Sequence, residues 1–479
     1  MAKKTYPDWV EKHRRKGTNI SCNDGRYYLY ECTSKWDKEK GRAKKITGAY
    51  LGRITENGFI PKGSKAPKSK PTVTVKEYGA TAAAIELGED LLNKLREKFG
   101  KSGEVVFAIA LSRLIEQSPF KRTEIQYSNS YISEILPDLK LSSKDISIFN
   151  AEFGKKRNEI VEFMRGFIGD DAHILFDGTS IISNSQNMNI NRPGYNSHGK
   201  FDPQFNLMYA FSVDVKQPVY YRVIPGNIRD MSALSLSLQE SGMRNGIVVA
   251  DKGFGSDDNF KEINASGLKY VVPLKRNSTE IDYSAFKESD KSNFDGFFMY
   301  QGKQIWYKRN GNIHSFLNPE MKVEEERTYL ANIERNCNGF TLENFHAKQH
   351  TFGTITLKTN VDSTSKEIYL IYKQRGEIEQ SFDFLKNLLE QDKSYMQSET
   401  SLESWAFINH IALLLCYRIY SLLKQHDVIS QYSVADFLSH LKYIKKVKVD
   451  GVWCTSEINK KTAKLLDKIG LHITHDLKS

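Results

Sequence analysis

Cysteine is scarce in this chain of 479 residues, and the few cysteines are scattered. They are odd in number and lack C-x2-C spacing; they are Cys22, Cys32, Cys337, Cys416 and Cys454. Neither a disulfide framework nor a zinc site is therefore expected. A reducing, cytoplasmic environment suits such a chain.

Long apolar runs are also lacking. No apolar signal segment is found near residue 1, and the longest apolar stretch, residues 406–423, is interrupted by Asn409, His410 and Arg418. This stretch is predicted to be a buried helix rather than a membrane span, so no membrane partner is expected.

The net charge of +11 arises within the first seventh of the chain. Residues 1–70 hold 18 Lys or Arg against 7 Asp or Glu, and the other 409 residues hold 51 of each sign. The basic residues, among them Arg42, Lys44 and Lys45, alternate with aromatic residues and turn formers. This pattern predicts a β-rich module whose basic surface attracts duplex DNA by counterion release. The alternative is a basic arm that only solubilises the chain.

Four polar residues recur at helical spacing: Tyr372, Arg375, Glu379 and Lys386. At 100° per residue, their side chains fall within one narrow arc of a single helix. An apolar stripe that would seat this helix on a core is formed by Ile371, Ile378, Phe382, Leu385 and Leu389. A carboxylate can hold a divalent cation while Arg and Lys hold phosphate oxygens beside it, so this face suits phosphodiester chemistry.

The spacing Y-x2-R-x3-E-x6-K resembles the signature of a large group of transposases from bacterial insertion sequences, which have a DDE catalytic triad. Tyr372, Arg375, Glu379 and Lys386 match it without a gap. The resemblance implies an α/β fold with a ribonuclease-H-like mixed sheet, flanked by helices and interrupted by a β-rich insertion. It also implies two upstream aspartates at the ends of buried strands.

Two aspartates meet this requirement. Asp177 follows the apolar run at residues 174–176, and Asp251 follows the run at residues 247–250. Ligands gather at the carboxyl ends of strands in open α/β sheets, so both are expected to meet Glu379 there. For either aspartate alone, a turn at the end of a strand is the alternative. Together, Asp177, Asp251 and Glu379 are the predicted catalytic and metal-binding residues.

Five regions are expected along the chain. Between Asp251 and Glu379 lie 127 residues, more than a strand-to-helix connection needs, so an inserted domain is required. The regions are a basic β-rich DNA-end-binding module at 1–70, a helical region at 71–167, a ribonuclease-H-like catalytic domain at 168–260 and 361–425, a β-rich insertion at 261–360 and a C-terminal helical region at 426–479.

The resemblance assigns a role to the insertion, which in similar transposases helps to hold a DNA hairpin or a flipped base. Trp306 is the aromatic residue predicted to stack on a base there. The alternative for Trp306 is a core position in a small sheet.

The resemblance further implies that the three acids hold two Mg²⁺ ions about 4 Å apart, with Mn²⁺ as a substitute. Tyr372, Arg375 and Lys386 would hold the DNA backbone. The expected reaction is cleavage at the terminal inverted repeats of the element and transfer of its 3′-hydroxyl ends into target DNA. The expected partners are double-stranded DNA and, on DNA, a second copy of the chain at the nucleoid.

Two other function classes remain open. A nuclease or junction resolvase with the same fold would cut DNA without joining it. A DNA-binding regulator without catalytic activity would bind element ends and ignore Mg²⁺.

Overall fold

The computed structural model describes residues 6–63, 72–169, 174–195, 201–227, 236–237, 240–242, 246–250, 257–288 and 290–473. The chain divides into two compact units, Met1–Val73 and Thr74–Ser479. Each unit has a hydrophobic core of its own, as expected of regions that fold as separate domains.

The first unit contains a four-stranded antiparallel sheet with the order β1-β2-β3-β4. Its elements are helix α1 (Asp8–Glu11) and strands β1 (Thr18–Asn23), β2 (Arg26–Asp37), β3 (Arg42–Thr55) and β4 (Gly58–Pro61). Asp24 and Gly25, both at positive φ, form the tight turn from β1 to β2, as Asp-Gly hairpins do. Val10, Ile20, Leu29 and Ile54 form the small core.

A strand that begins at the last residue of the first unit leads into the second unit, where a group of helices follows. These are β5 (Val73–Glu77), α2 (Gly79–Phe99), α3 (Lys101–Glu116), α4 (Thr123–Asn129), α5 (Ile132–Ile135), α6 (Ser143–Phe153) and α7 (Arg157–Arg165). Gly100, at φ 57°, ends α2 and turns the chain into α3, a conformation that glycine adopts without steric cost.

A mixed five-stranded sheet follows, and it contains the first predicted catalytic residue. Its strands are β6 (Ile174–Ser183), β7 (Arg192–Tyr195), β8 (Phe201–Ser212), β9 (Gln217–Pro225) and the later β16 (Lys393–Ser394). The order is β16-β6-β8-β7, with β9 also paired to β8. Most residues of β6 and β8 are buried, so the sheet is covered on both faces.

A second sheet has the order β10-β11-β15-β14-β13-β12, and its first strand lies beside β6. Its strands are β10 (Ile247–Val249), β11 (Lys269–Pro273), β12 (Gly296–Tyr300), β13 (Lys303–Asn310), β14 (Ile313–Leu317) and β15 (Thr354–Thr359). The helices between these strands are α8 (Asp257–Ala265), α9 (Ser284–Lys287), α10 (Pro319–Glu334) and α11 (Leu342–Lys348). The predicted insertion therefore extends the sheet that β10 and β11 begin.

The last third of the chain is mainly helical. It contains α12 (Ser365–Lys373), α13 (Arg375–Asp383), a π-helical turn (Phe384–Leu388), α14 (Glu399–Gln425), α15 (Val434–Lys442), β17 (Lys445–Val449), β18 (Val452–Thr455) and α16 (Lys460–Ile469). Helix α14 is long and apolar enough to cross a membrane, but 78% of its most apolar window is buried inside the protein. It packs against α3, α6 and β9, which confirms the prediction of a buried helix.

Three local predictions differ from the structure. The C-terminal region, predicted as helical, contains the hairpin β17–β18, joined by Asp450 and Gly451 at positive φ. The β-rich insertion also contains α10, which begins with an Asn318 cap and a proline at its first turn. The single helix predicted over residues 372–386 is interrupted at Gln374 and followed by the π-helical turn.

Candidate active site

Asp177 lies inside strand β6 and is 8% exposed. Strand β6 was expected to end at this residue, but its pairing with β8 continues beyond it to Ile182. The strand continues because Thr179, Ile181 and Ser183 keep alternate positions buried. The backbone N–H of Gly178 donates a 2.8 Å hydrogen bond to Oδ1 of Asp177, which orients the carboxylate.

Arg375 joins Asp177 to Glu379. Its Nη2 atom is 3.1 Å from Oδ2 of Asp177 and 3.5 Å from Oε1 of Glu379. The side chains of Asp177 and Arg375 are 12% and 17% exposed, whereas that of Glu379 is 59% exposed. Two carboxylates separated by about two hundred residues of sequence thus lie beside one guanidinium.

Helix α13, which carries Arg375 and Glu379, is held against α14 by burial and polar contacts. Ile378 is fully buried, and the carbonyl of Glu377 accepts a hydrogen bond from the hydroxyl of Tyr417 on α14. The carboxylate of Glu377 forms a 2.8 Å ion pair with Lys424, also on α14. The predicted apolar stripe is confirmed at Ile378, Leu385 and Leu389, each 0% exposed.

Tyr372 and Lys386 do not line the same cavity. Tyr372, in α12, lines a cavity of about 370 Å³ against the insertion sheet. Lys386, in the π-helical turn, lines a cleft of about 1150 Å³ together with Phe120 and Trp405. In a continuous α-helix Lys386 would face the same side as Arg375 and Glu379. The π-helical turn has more residues per turn, so it rotates Lys386 away from that side.

Lys386 is partly desolvated in this position. Burial lowers its pKa from the ordinary value, and the opposing charge of Asp392 offsets only part of the effect. A lysine with this reduced hydration has less solvation to lose when it contacts a phosphate.

The third predicted acid, Asp251, lies outside the described residues. Its chain neighbour Ala250 is buried and directly follows β10, the strand that lies beside β6. Within the residues that the structure does describe, no group of three or more His, Cys, Asp or Glu side chains could hold a metal ion. Asp177 and Glu379 offer carboxylate oxygens, the kind of donor that could hold a hard divalent cation.

Trp306 and the basic N-terminal residues lie in other parts of the structure. Trp306 is half-buried on β13 and packs against Phe294 and Phe297, with ring centroids 5.9 and 5.2 Å away. In the first unit, Arg42 and Lys44 are exposed on β3. Lys45, also on β3, donates a 2.5 Å hydrogen bond from Nζ to Oδ1 of Asn19.

Sequence reasoning missed further residues of the cleft that contains Lys386. Lys121, Lys393 and Tyr395 line it, and the side chain of Tyr395 is 78% exposed. Lys121 and Lys393 come from segments far apart in the sequence, so helical or strand spacing could not have connected them. The proximity of Lys393 to Lys386 along the chain was the one available signal.

Comparison with known proteins gives a matching family and similar solved structures. The family described as "Transposase DDE domain" matches residues 168–415, slightly more than half of the chain. A solved structure, the cryo-EM structure of the piggyBac transposase synaptic complex with hairpin DNA, is 9% identical in sequence with a TM-score of 0.38. The match covers 78% of this chain and 82% of that one. No curated protein sequence matches the chain.

Proposed function

Because this chain belongs to the transposase DDE domain family, we propose that it cleaves the ends of a DNA element and joins their 3′-hydroxyls to target DNA. The observation that carries the proposal is the convergence of Asp177 and Glu379 on the guanidinium of Arg375. Both acids lie within the matched region, and they come from a central strand and from a separate helix. An ion pair that only stabilised the fold would need one carboxylate beside Arg375, whereas two are present.

The proposed catalytic and metal-binding residues are Asp177, Asp251 and Glu379. The two described carboxylates fit Mg²⁺ or Mn²⁺, because hard cations prefer oxygen ligands and retain sites for water and phosphate oxygens. Two such ions, when bound, would activate the attacking oxygen and stabilise the leaving oxygen. The hydrogen bond from Gly178 would keep Asp177 oriented. The contacts between α13 and α14 would keep Glu379 at the site.

Arg375 has two roles in this proposal. Before a metal ion binds, its guanidinium offsets one of the two negative charges of the carboxylates. When DNA is bound, the same planar group would hold a phosphate oxygen beside the scissile bond, for which its paired N–H donors are suited. Tyr372 and Lys386 would contact the DNA backbone on either side, which agrees with their positions on two different cavities.

The arrangement of strands supports a ribonuclease-H-like assignment for the catalytic domain. Strands β9, β8 and β6 are consecutive neighbours, and β10, which pairs with β11 in parallel, lies beside β6. Asp177 is carried by β6, and Asp251 follows the end of β10 in sequence, so the two acids are expected to meet. The substrate in this proposal is the terminal inverted repeats of a bacterial insertion sequence, bound by two copies of the chain at the nucleoid.

Trp306 remains the proposed base-stacking residue of the insertion. Its contact with the exposed Phe297 gives an aromatic surface on the edge strand β12 and its neighbour β13. Stacking on an aromatic surface is tolerant of base identity and suits a flipped nucleotide.

The decisive experiment uses labelled duplexes that carry the DNA flanking the coding sequence, a supercoiled target plasmid and either Mg²⁺ or EDTA. The full chain is expected to give end-cleaved and plasmid-joined products only with Mg²⁺, and Asp177→Asn and Glu379→Gln are expected to give neither. Glu377→Gln is the matched control, since it changes the same chemical group on the same helix but faces Lys424.

Three results would contradict the proposal, and each has a distinct reading. Cleavage without joined products would identify a nuclease or resolvase. Binding of element ends that is indifferent to Mg²⁺, without cleavage, would identify a regulator. Retained joining in both acid variants would remove Asp177 and Glu379 from the reaction.

A further inference from the structure

The hairpin β2–β3 extends beyond the rest of the N-terminal sheet. Strand β1 pairs with β2 only as far as Glu31, and β4 pairs with β3 only from Gly52 onward. Within the described part of the chain, residues 33–37 and 42–46 therefore pair only with each other. They form a two-stranded segment, called here the ribbon, that has no third strand on either side.

The ribbon is exposed on both faces. Trp36 is 64% exposed and Ile46 is 42% exposed, and neither belongs to the small core of the unit. A two-stranded ribbon with no hydrophobic face to bury is at best marginally stable in water. Its extended form is easier to understand if a partner contacts it.

The charges of the ribbon indicate that this partner is an anion. Residues 35–45 contain six basic residues and two acidic ones, Asp37 and Glu39. Lys35 and Lys44 lie directly opposite each other in the register. Like charges directly opposite each other destabilise a sheet, so repulsion between Lys35 and Lys44 lowers the stability of the free protein. An anion bound beside them would remove that repulsion.

The two faces of the ribbon differ. Lys35 and Lys44 share one face with Arg42, because the register places Arg42 opposite Asp37 two positions further along. The carboxylate of Asp37 accepts hydrogen bonds from the backbone N–H groups of Glu39 and Lys40, so it closes the turn. Lys45 lies on the opposite face and is bonded to Asn19.

We infer that the ribbon inserts into the major groove of duplex DNA with the face of Lys35, Lys44 and Arg42 toward the bases and phosphates. The major groove is wide enough for a two-stranded ribbon, and the three cations neutralise phosphates along its walls. This inference rests on the proposed function for the identity of the DNA, the ends of the element. It adds the binding face and the groove.

The test measures binding by fluorescence anisotropy, using the full chain, a labelled element-end duplex and EDTA, so that no cleavage contributes. The variant Lys35→Ala/Lys44→Ala is expected to bind on the order of tenfold more weakly near 0.1 M salt. Its slope of log affinity against log salt is expected to be smaller by about 2, because two phosphate contacts are lost. The control Lys12→Ala/Lys16→Ala removes the same charge from exposed positions of the same unit and is expected to bind as the parent does.

Stability of the free protein separates a binding role from a structural one. Loss of the like-charge pair is expected to leave the thermal midpoint of Lys35→Ala/Lys44→Ala unchanged or higher than that of the parent. Weaker DNA binding in a variant of equal or greater stability identifies a contact surface. A lower midpoint together with weaker binding would instead make the pair structural and overturn the inference.

Two further measurements identify the partner and separate this inference from the proposed function. A duplex RNA of the same sequence is expected to bind much more weakly, since its major groove is too narrow for side chains to read. Equal binding of RNA and DNA, or an unchanged affinity and salt slope in the double variant, would overturn groove insertion. Because binding is measured in EDTA, where no cleavage occurs, a failure of catalysis and a failure of the ribbon would be seen independently.

Discussion

Arg375 donates a hydrogen bond from Nη2 to Oδ2 of Asp177 over 3.1 Å, across 198 residues of sequence. The same nitrogen is 3.5 Å from Glu379, so one positive charge serves two carboxylates. A divalent cation that bound both carboxylates would compete with the guanidinium for them. The ion pair with Arg375 is therefore expected to weaken the binding of a metal ion to these two carboxylates.

Removal of the guanidinium is expected to tighten metal binding. In Arg375→Ala the two carboxylates lose their shared counter-charge, and the affinity for Mn²⁺ without DNA is expected to rise on the order of tenfold. Electron paramagnetic resonance of unbound Mn²⁺, or calorimetry, measures this directly. Arg375→Lys, which keeps a positive charge, is expected to lie between the parent and Arg375→Ala.

Arg276→Ala is the control for this prediction, since Arg276 pairs with Glu325 in the insertion. Its Mn²⁺ affinity is expected to equal that of the parent. If Arg375→Ala and Arg276→Ala bind Mn²⁺ equally well, Arg375 does not compete with the metal.

The short-range features of the site were predictable from sequence. The apolar stripe along α13 and the π-helical turn follows from helical spacing, and Ile378, Leu385 and Leu389 are fully buried as that spacing predicts. The strand around Asp177 follows from an apolar run. Local periodicity reports the face that a segment buries, so these predictions needed no knowledge of the partner elements.

The contacts that determine the shape of the site were not predictable in this way. The π-helical turn begins at Phe384, whose ring packs 5.6 Å from that of Tyr417 on α14. That contact joins segments that are distant in sequence. It lies where the helical register changes, so that Lys386 no longer faces the same side of the helix as Arg375. The hairpin β17–β18 did carry a local signal, since Asp450-Gly451 between alternating Lys and Val residues is typical of a tight turn.

Arg157 is expected to be the main polar contribution to the stability of the second unit. Its guanidinium forms ion pairs of 2.6 and 2.8 Å with Glu240 and Glu403, and it donates to the carbonyl of Tyr221. Arg157→Met would leave two partly buried carboxylates without a counter-charge. The free energy of unfolding at pH 7 is expected to fall by about 3–5 kcal/mol.

Urea unfolding followed by circular dichroism measures this loss. Arg96→Met, at the more exposed ion pair with Glu104, is the matched control and is expected to cost less than about 1 kcal/mol. Equal costs in the two variants would show that the Arg157 network contributes no more than a surface pair.

Lys386 is expected to contribute charge to DNA binding and little to stability. Lys386→Met keeps the apolar stem and removes the ammonium, so the slope of log affinity against log salt is expected to be smaller by about 1. The free energy of unfolding is expected to be unchanged or slightly higher, because burial disfavours the charged form of Lys386. Anisotropy titrations at several salt concentrations measure the slope.

Lys393→Met tests whether the effect of Lys386 is specific within the cleft that both residues line. A change of slope in both variants would indicate that DNA enters the cleft itself. An unchanged slope in Lys386→Met would remove Lys386 from the DNA-binding residues.

His410 is expected to make the protein less stable as the pH falls below 6.5. Burial lowers the pKa of His410 to about 3, with a smaller contribution from the charge of Arg157, and the ring packs between those of Tyr209 and Tyr221. The unfolded chain binds a proton at this residue near pH 6.5, whereas the folded protein does not, so protons favour unfolding across the window between the two pKa values. The His410 contribution to the loss between pH 6.5 and 5 is about 2 kcal/mol.

The variant His410→Phe isolates this contribution, because an aromatic ring of similar size keeps contacts with both tyrosines and does not titrate. Urea unfolding at a series of pH values is expected to give parallel stability curves for the two proteins between pH 7 and 8. Below pH 6.5 the curve of the variant is expected to fall less steeply, by about 1.4 kcal/mol for each pH unit. Curves that stay parallel down to pH 5 would mean that His410 takes up a proton in the folded protein as readily as in the unfolded chain.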